Sequence, residues 1–488
     1  MIPREGAPCK SPADMLPSHR PGRCRPASFS LLTRHASRLA HRRSLSMAAA
    51  PLHAGAARIE ITPPNGLPMG GYFARAEPAQ GVHDPLFARA LVLDDGSLRV
   101  AIVAADLPEV SPAFAAAVRE RIHRELGIPA AHTLLAVSHT HSGPLVMDRR
   151  VTAPDPLYME TLRDRLVGAV RGAARSLRPA RAGAGRAKLY LGVNRRQWGL
   201  GAESIEGKNP AGYASPYAHV LSVAEEGGGP IAILFTYAAH PVVLGPENRQ
   251  VSGDYAGRAE SVVEENFGGK AVALFALGFA GDVNVNYARR DFEEVETFGS
   301  ALGRAVIEEM KGIEHAGGLR LRVASLRVGL PLEPPPSVEE AERRLFAERA
   351  RLSSLLGRGE DKGEVNRRRL MVEWAAQLVA IAKRSQAERA VELEVQGIAL
   401  GSAALIGVSA EPFAQYEKML LEASPFAHTF PIGCANGDVG YLPTAEAFAQ
   451  GGYEVETAPC LFGTLRLRPE VEEVARQAFA RVLADLAG

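Results

Sequence analysis

The sequence predicts an α/β protein: a mixed, layered sheet with flanking helices, plus a helical hairpin insertion near residues 337–386. Three observations predict it. Several stretches of strand type, such as 134–137, 231–239 and 271–279, are apolar almost throughout. Strands without a polar face are buried on both sides, as in sheets sandwiched between other layers. Amphipathic helix patterns stand between them, at 112–126 and near 157–177 and 255–267. The strands then end in residues able to ligate a metal, and sites of α/β sheets gather at strand ends.

Taken in order, 57–62 alternates like a strand and stops at Pro63-Pro64-Asn65-Gly66. The pair Gly70-Gly71 follows, where backbone can approach another group closely; it is a candidate for substrate binding. Asp94-Asp95-Gly96 reads as a hairpin turn into a strand at 99–106. Ser111 is a natural cap for the helix at 112–126. A strand at 187–193 is expected to end in Asn194-Arg195-Arg196. Strands at 231–239 and 403–409 end in His240-Pro241 and Glu411-Pro412, proline stopping the ladder each time. Pro334-Pro335-Pro336 is a stiff spacer, and Ser337-Val338-Glu339-Glu340 is a capping box. Two long helical patterns follow, 338–356 and 364–385. Their charges read as a solvated face, and the hairpin would pack on the sheet or at a contact between subunits of a homo-oligomer. A closing amphipathic helix spans 469–486.

Residues 1–46 are foreign to the rest. They carry nine Lys or Arg against Glu5 and Asp14, a net of +7, while the whole 488-residue chain stands at +1. Rich in Pro, Ser and Arg and without a sustained apolar run, they are no secretory signal. They are expected to be a disordered basic tail, read as sequence upstream of a start at Met47 in preference to an Arg-rich transit peptide, with a folded domain at 47–488. The expected location is cytoplasmic. Balanced charge argues against nucleic acid as a partner, and no apolar stretch approaches the ~20 residues of a membrane helix. The four cysteines make neither a disulfide framework nor a CxxC metal site; a reduced compartment fits, with a Cys434–Cys460 bridge left open.

The motif that organises the chain is Ser138-His139-Thr140-His141-Ser142-Gly143-Pro144. At the end of a strand, residues i and i+2 share a face, so His139 and His141 project together. Two such imidazoles suit a metal ion, or a metal and a proton-transfer base. With Asn194-Arg195, Ala239-His240-Pro241, Gly281-Asp282-Val283, Glu411, and Tyr441 twelve residues before Tyr453, it resembles the catalytic domain of the neutral/alkaline non-lysosomal ceramidase family. The resemblance covers roughly residues 55–465. It implies one Zn2+ per chain held by His139, His240, Glu411 and Tyr441, with His141 the general base and Arg195 and Tyr453 binding substrate and stabilising the oxyanion. It implies cleavage of an amide (N-acyl) bond by a metal-activated water, on a small-molecule or lipid-like substrate.

Asn284 stands where the family's motif continues with serine. It can orient a water or an amide but supplies no hydroxyl, so it enters the catalytic set while ceramide itself is not the expected substrate. Two alternatives are another metal-dependent hydrolase, an esterase or phosphoesterase, and a ceramidase-like binding protein without activity. As for the tail, a chain beginning at Met47 is expected to melt within a few degrees of the full chain, since residues 1–46 lack the apolar content to join a core; differential scanning fluorimetry of the two checks it, and a large fall on truncation contradicts it.

Overall fold

Alternation within the apolar strands decides the layers. The computed structural model describes residues 51–148, 151–199, 204–358, 361–384 and 390–488; the expected tail at 1–46 and the last residues of the predicted insertion, 385–386, lie outside them. Strands β1 (His53–Glu60), β2 (Phe87–Asp94), β3 (Arg99–Ala105), β4 (Thr133–Val137), β5 (Arg178–Lys188), β6 (Tyr217–Glu225), β7 (Pro230–Tyr237) and β8 (Val272–Leu277) form one sheet, in the order β8-β7-β6-β5-β1-β2-β3-β4. The middle of this sheet is antiparallel. The pairs at its two ends, β3–β4 and β7–β8, are parallel. Parallel neighbours need a crossover, and helices α1 (Pro112–Leu126), α2 (Pro156–Arg175), α3 (Asp254–Asn266) and α4 (Phe292–Met310) include both of them, α1 between β3 and β4 and α3 between β7 and β8. As the sequence predicts, Ser111 caps α1, accepting from the Phe114 amide.

Leu135 and Val137 of β4 pack into the core shared with these helices, while Leu134 and Ala136 enter a second core on the other face. A four-stranded sheet closes that second core: β9 (Leu321–Pro331), β10 (Ala390–Leu400), β11 (Ala403–Val408) and β12 (His428–Ile432), paired in that order. Its Ile398, Leu405 and Phe430 join Leu134, Leu234 and Leu274 in the second core. Its opposite face, with Leu393, Val395 and Ile406, shares a third core with Trp374 and Leu378 of the helical hairpin and Phe479 and Val482 near the C-terminus. The hairpin is α5 (Val338–Arg358) and α6 (Lys362–Ala382), and the closing helix is α7 (Val471–Ala487). Ser337 caps α5 and Asp361 caps α6, each accepting from an amide three residues on. The predicted layered α/β arrangement is realised as two sheets stacked face to face between helical layers. The apolar runs carry the reason, because each inner strand presents large side chains to two cores at once.

Strands β4 and β8 stand at opposite ends of the strand order, yet one short segment ties them together. After β12 the Gly433 amide donates to Leu277 O at 2.9 Å, and the Asn436 amide donates to Leu135 O at 2.7 Å. Asn436 Oδ1 accepts from the Leu135 amide at 3.0 Å. Its Nδ2 donates to Gln396 Oε1 at 2.7 Å and Glu394 Oε1 at 3.2 Å. Cys434 and Asn436 hold φ of 48° and 61°, a region that asparagine tolerates better than most residues. The tie exists because the backbone turns inward at both positions.

Two sequence expectations shift. The predicted strand at 187–193 is the end of β5 and the start of another strand, Gly192–Trp198, so Asn194, Arg195 and Arg196 lie inside a strand and not beyond one. The chain bends between them, where the Leu191 and Gly192 amides donate to the Tyr237 hydroxyl. The other change is at β4, which stops at Val137, before the His-Thr-His motif.

Asn436→Ala removes the acceptor for a buried amide and places a β-carbon residue at positive φ without a side chain to stabilise it. The expected loss is about 2–4 kcal/mol of unfolding free energy, read from urea denaturation. A midpoint equal to the parent protein's contradicts the tie.

Candidate metal centre and active site

The site lies beyond the carboxyl ends of β4, β7, β8 and β11, and each strand delivers one piece. After β4 the Ser138 and His139 amides donate to Ala105 O and Leu107 O, so the chain leaves the sheet by crossing the end of β3. His139 sits at φ 64°, a strained conformation for a non-glycine residue, and strain of this kind gathers at functional sites. That conformation, not alternation along a strand, is what turns His139 and His141 toward one point. After β7 the His240 amide donates to Val283 O, and His240 bridges in parallel to Asn284. After β11, Glu411-Pro412 pairs in parallel with Tyr441-Leu442, placing Glu411 directly opposite Tyr441.

Four predicted residues converge. His240 Nε2 lies 3.0 Å from Glu411 Oε2, and His139 Nε2 lies 3.4 Å from the same oxygen. His141 Nε2 is 3.4 Å from His139 Nε2. One ring nitrogen from each of the three histidines falls within 4.8 Å of the others, and all three residues are buried or nearly so. The outer contacts differ. His139 Nδ1 is hydrogen-bonded to Pro108 O, and His240 Nδ1 lies 2.8 Å from Ala280 O. A carbonyl fixes the proton on Nδ1 and leaves Nε2 free to ligate, which is the usual outer support of metal-bound histidine. His141 Nδ1 is buried and has no hydrogen-bond partner among the described residues.

The electrostatics agree with a cation-binding centre. Burial acts to depress His139, but the Glu411 carboxylate raises it to about 9. Burial alone would raise Glu411, but the two histidines hold it well below the usual carboxylate range. Glu411 and His139 thus stabilise each other's charged forms. Burial, then the neighbouring imidazoles, press His141 well below its ordinary value, so it is neutral. His139 also clusters with Cys434 and Asp438. The ring nitrogen facing that side is the one committed to Pro108 O, and Cys434 Sγ stays 3.8 Å from it. That trio therefore backs His139 and is not a second metal site.

Arg195 closes the other side. It donates to Glu454 Oε1 and Gly281 O, both at 2.8 Å, reaches Asn284 Oδ1 at 3.5 Å, and hydrogen-bonds the Tyr441 phenol. Its guanidinium lies 5.3 Å from the Tyr441 ring centre and 6.0 Å from that of Tyr453, and the two rings meet edge-on at 5.8 Å. Arg195, Tyr441, Tyr453 and Asn284 are therefore one buried group beside the histidines. Burial first, then Glu411, raises the Tyr441 phenol well above its ordinary value, so without a cation it is neutral. Gly70 and Gly71 have a packing reason of their own. A β-carbon at Gly71, which has φ +87°, falls 2.5 Å from His141 Cα, and one at Gly70 falls 2.9 Å from Pro108 Cγ. The pair lets its loop lie against His141 and Pro108.

The sequence reading gave Arg196 and Asp282 no role of their own and did not single out Glu454. Glu454 takes Arg195 on one oxygen and Arg196 on the other, at 2.8 and 2.5 Å. Asp282 accepts from Asn194 Nδ2 and the Ala414 amide, both at 2.7 Å. The adjacency of Glu454 to Tyr453 and of Arg196 to Arg195 was the available signal. Cys434 and Cys460 are both buried and no disulfide joins them, so the bridge left open is not formed.

Residues 52–297 match the family described as neutral/alkaline non-lysosomal ceramidase, N-terminal. The neutral ceramidase of Mycobacterium tuberculosis (strain ATCC 25618 / H37Rv) is 22% identical over 479 residues, covering 84% of this chain and 74% of that protein. The Drosophila melanogaster neutral ceramidase is 26% identical over 257 residues, covering 48% of this chain and 36% of the relative. Among solved structures, neutral ceramidase from Pseudomonas aeruginosa superposes with a TM-score of 0.68 at 20% identity, over 90% of this chain and 74% of that one. The fold is that of the neutral ceramidases. The chain belongs to the neutral/alkaline non-lysosomal ceramidase family.

Purified protein is expected to carry about one zinc per chain, the capacity of one four-ligand site. His139→Ala and His240→Ala are each expected to lose it on dialysis, read by elemental analysis; full retention by both contradicts a site built on these two rings.

Proposed function

We propose that this chain is a zinc-dependent amide hydrolase acting on an N-acyl bond. The reading is carried by the unequal support of the three histidines: two rings are tautomer-locked by backbone carbonyls, and the third, His141, is buried, neutral and untied at Nδ1. A locked ring suits ligation; an untied ring suits a proton that must arrive and leave. His139, His240, Glu411 and Tyr441 hold the ion. When bound, zinc polarises the scissile carbonyl and acidifies water near it. His141 takes the proton of the attacking water as its oxygen bonds to the carbonyl carbon. The carbon–nitrogen bond then breaks, and His141 returns that proton to the departing amine. Arg195 and Tyr453 meet the charge that builds on the carbonyl oxygen, and Glu454 keeps Arg195 aimed there. Asn284 orients the amide. The buried setting strengthens each of these contacts, because little water screens them.

The test separates base from ligand. His141→Ala is expected to keep near-stoichiometric zinc and near-native thermal stability while turnover of a short N-acyl amide falls ~10²–10⁴-fold. The residual activity should lose the acid arm of its pH profile, which the coupled site sets as a whole. If His141→Ala empties the site as His139→Ala does, the third ring is a ligand and the proton carrier lies elsewhere.

A further inference from the structure

Arg75 is a buried guanidinium that binds backbone. It is 9% exposed, and among the described residues no carboxylate lies within ion-pair distance of it. Its Nη1 donates to Gly70 O at 2.7 Å and to His141 O at 2.9 Å. Its Nε reaches Pro246 O at 3.3 Å, and Nη2 reaches Gly245 O at 3.4 Å. Those carbonyls belong to three loops: the Gly70-Gly71 loop, the His-Thr-His loop, and the loop that follows His240. Tyr72 joins the same three. Its hydroxyl donates to Leu244 O at 2.9 Å, and its ring meets His141 edge-on at 4.9 Å, with the guanidinium 4.9 Å from that ring's centre.

Ordinary packing does not call for this arrangement. Burying a guanidinium with no ion-paired carboxylate is expensive, and a dense set of acceptors offsets it, with Glu247 adding attraction from farther off. Here the acceptors are carbonyls of the loops around one histidine. His139 and His240 have carbonyls on their own rings to orient them. His141 has none on Nδ1, so its ring must be fixed through its backbone and its walls: Arg75 on its carbonyl, Gly71 beneath its Cα, and Tyr72 against its edge. We infer that Arg75 is the positioning residue for His141, holding the proton carrier in place while leaving Nδ1 of its ring without a carbonyl that would fix the tautomer. A Lys in its place keeps the charge but not the planar fork that reaches several carbonyls at once.

The inference rests on the proposed hydrolase only for its kinetic arm. The deciding measurement is the side-chain 15N spectrum of histidine-labelled, zinc-loaded full chain, with His141 assigned by its loss in His141→Asn. In Arg75→Met and Arg75→Lys, the His141 signals are expected to shift or broaden while those of His139 and His240 stay and zinc content holds. On any N-acyl amide that the parent protein hydrolyses, kcat should fall ~10–100-fold with KM within about twofold, the signature of a displaced catalytic group. Where neither Arg75 variant folds, Gly71→Ala is read instead, since it presses on His141 with Arg75 intact and should move the same signals alone. Unchanged His141 signals, or all three histidines moving together, overturn the inference. An absence of amide turnover in the parent would sink the hydrolase reading and leave the spectrum to decide this one.

Discussion

Rings carried beyond strands from opposite ends of one sheet's strand order can meet only if that sheet curls until its edges face each other. Everything at the centre depends on this closure. His139 follows β4 and His240 follows β7, and the four residues 433–436 span between the β4 and β8 edges. The small sheet fills the concave side with Ile398, Leu405 and Phe430, so apolar burial supplies the curvature and Asn436 fastens it. The second sheet then delivers Glu411 and Tyr441 as neighbours in a two-stranded ladder. Burial on both faces of the large sheet supports the rigidity that such a centre needs.

The polar interior is organised by which groups are shared. Glu454 is divided between Arg195 and Arg196, Glu411 between His139 and His240, and Asn436 among Leu135, Gln396 and Glu394. A buried polar group is costly when any of its donors or acceptors is left over. His141 Nδ1 is an exception at the heart of the site, and an exception placed there reads as function, not neglect.

Much of this was legible in the residues. Proline after His240 and Glu411 marks the strand ends, the capping serines mark their helices, and the apolar runs mark sheets covered on both sides. The candidate ligands came out together through the resemblance of their motifs to the neutral ceramidases, with the prolines placing His240 and Glu411 at strand ends. The sequence could not show that two sheets stack, because a strand buried between helices and one buried between a sheet and helices carry the same apolar run. Nor could it place Arg75, whose partners are carbonyls contributed by every residue alike. The His-Thr-His motif was read as strand alternation. The rings do converge, but through the positive φ of His139, a choice that neighbouring loops impose and local propensity does not.

The closing segment also has a consequence in time. Leu135 and Asn436 lie 301 positions apart. A ribosome delivers them tens of seconds apart, at ~5–20 residues per second. Until the last part of the chain emerges, β4 and β8 are free sheet edges, and the apolar face bearing Leu134, Leu234 and Leu274 has no cover. Open edges of this kind recruit strands from other chains. The nascent protein therefore presents that face and those edges for the whole interval, which makes a chaperone that shields β edges the natural condition for obtaining it folded.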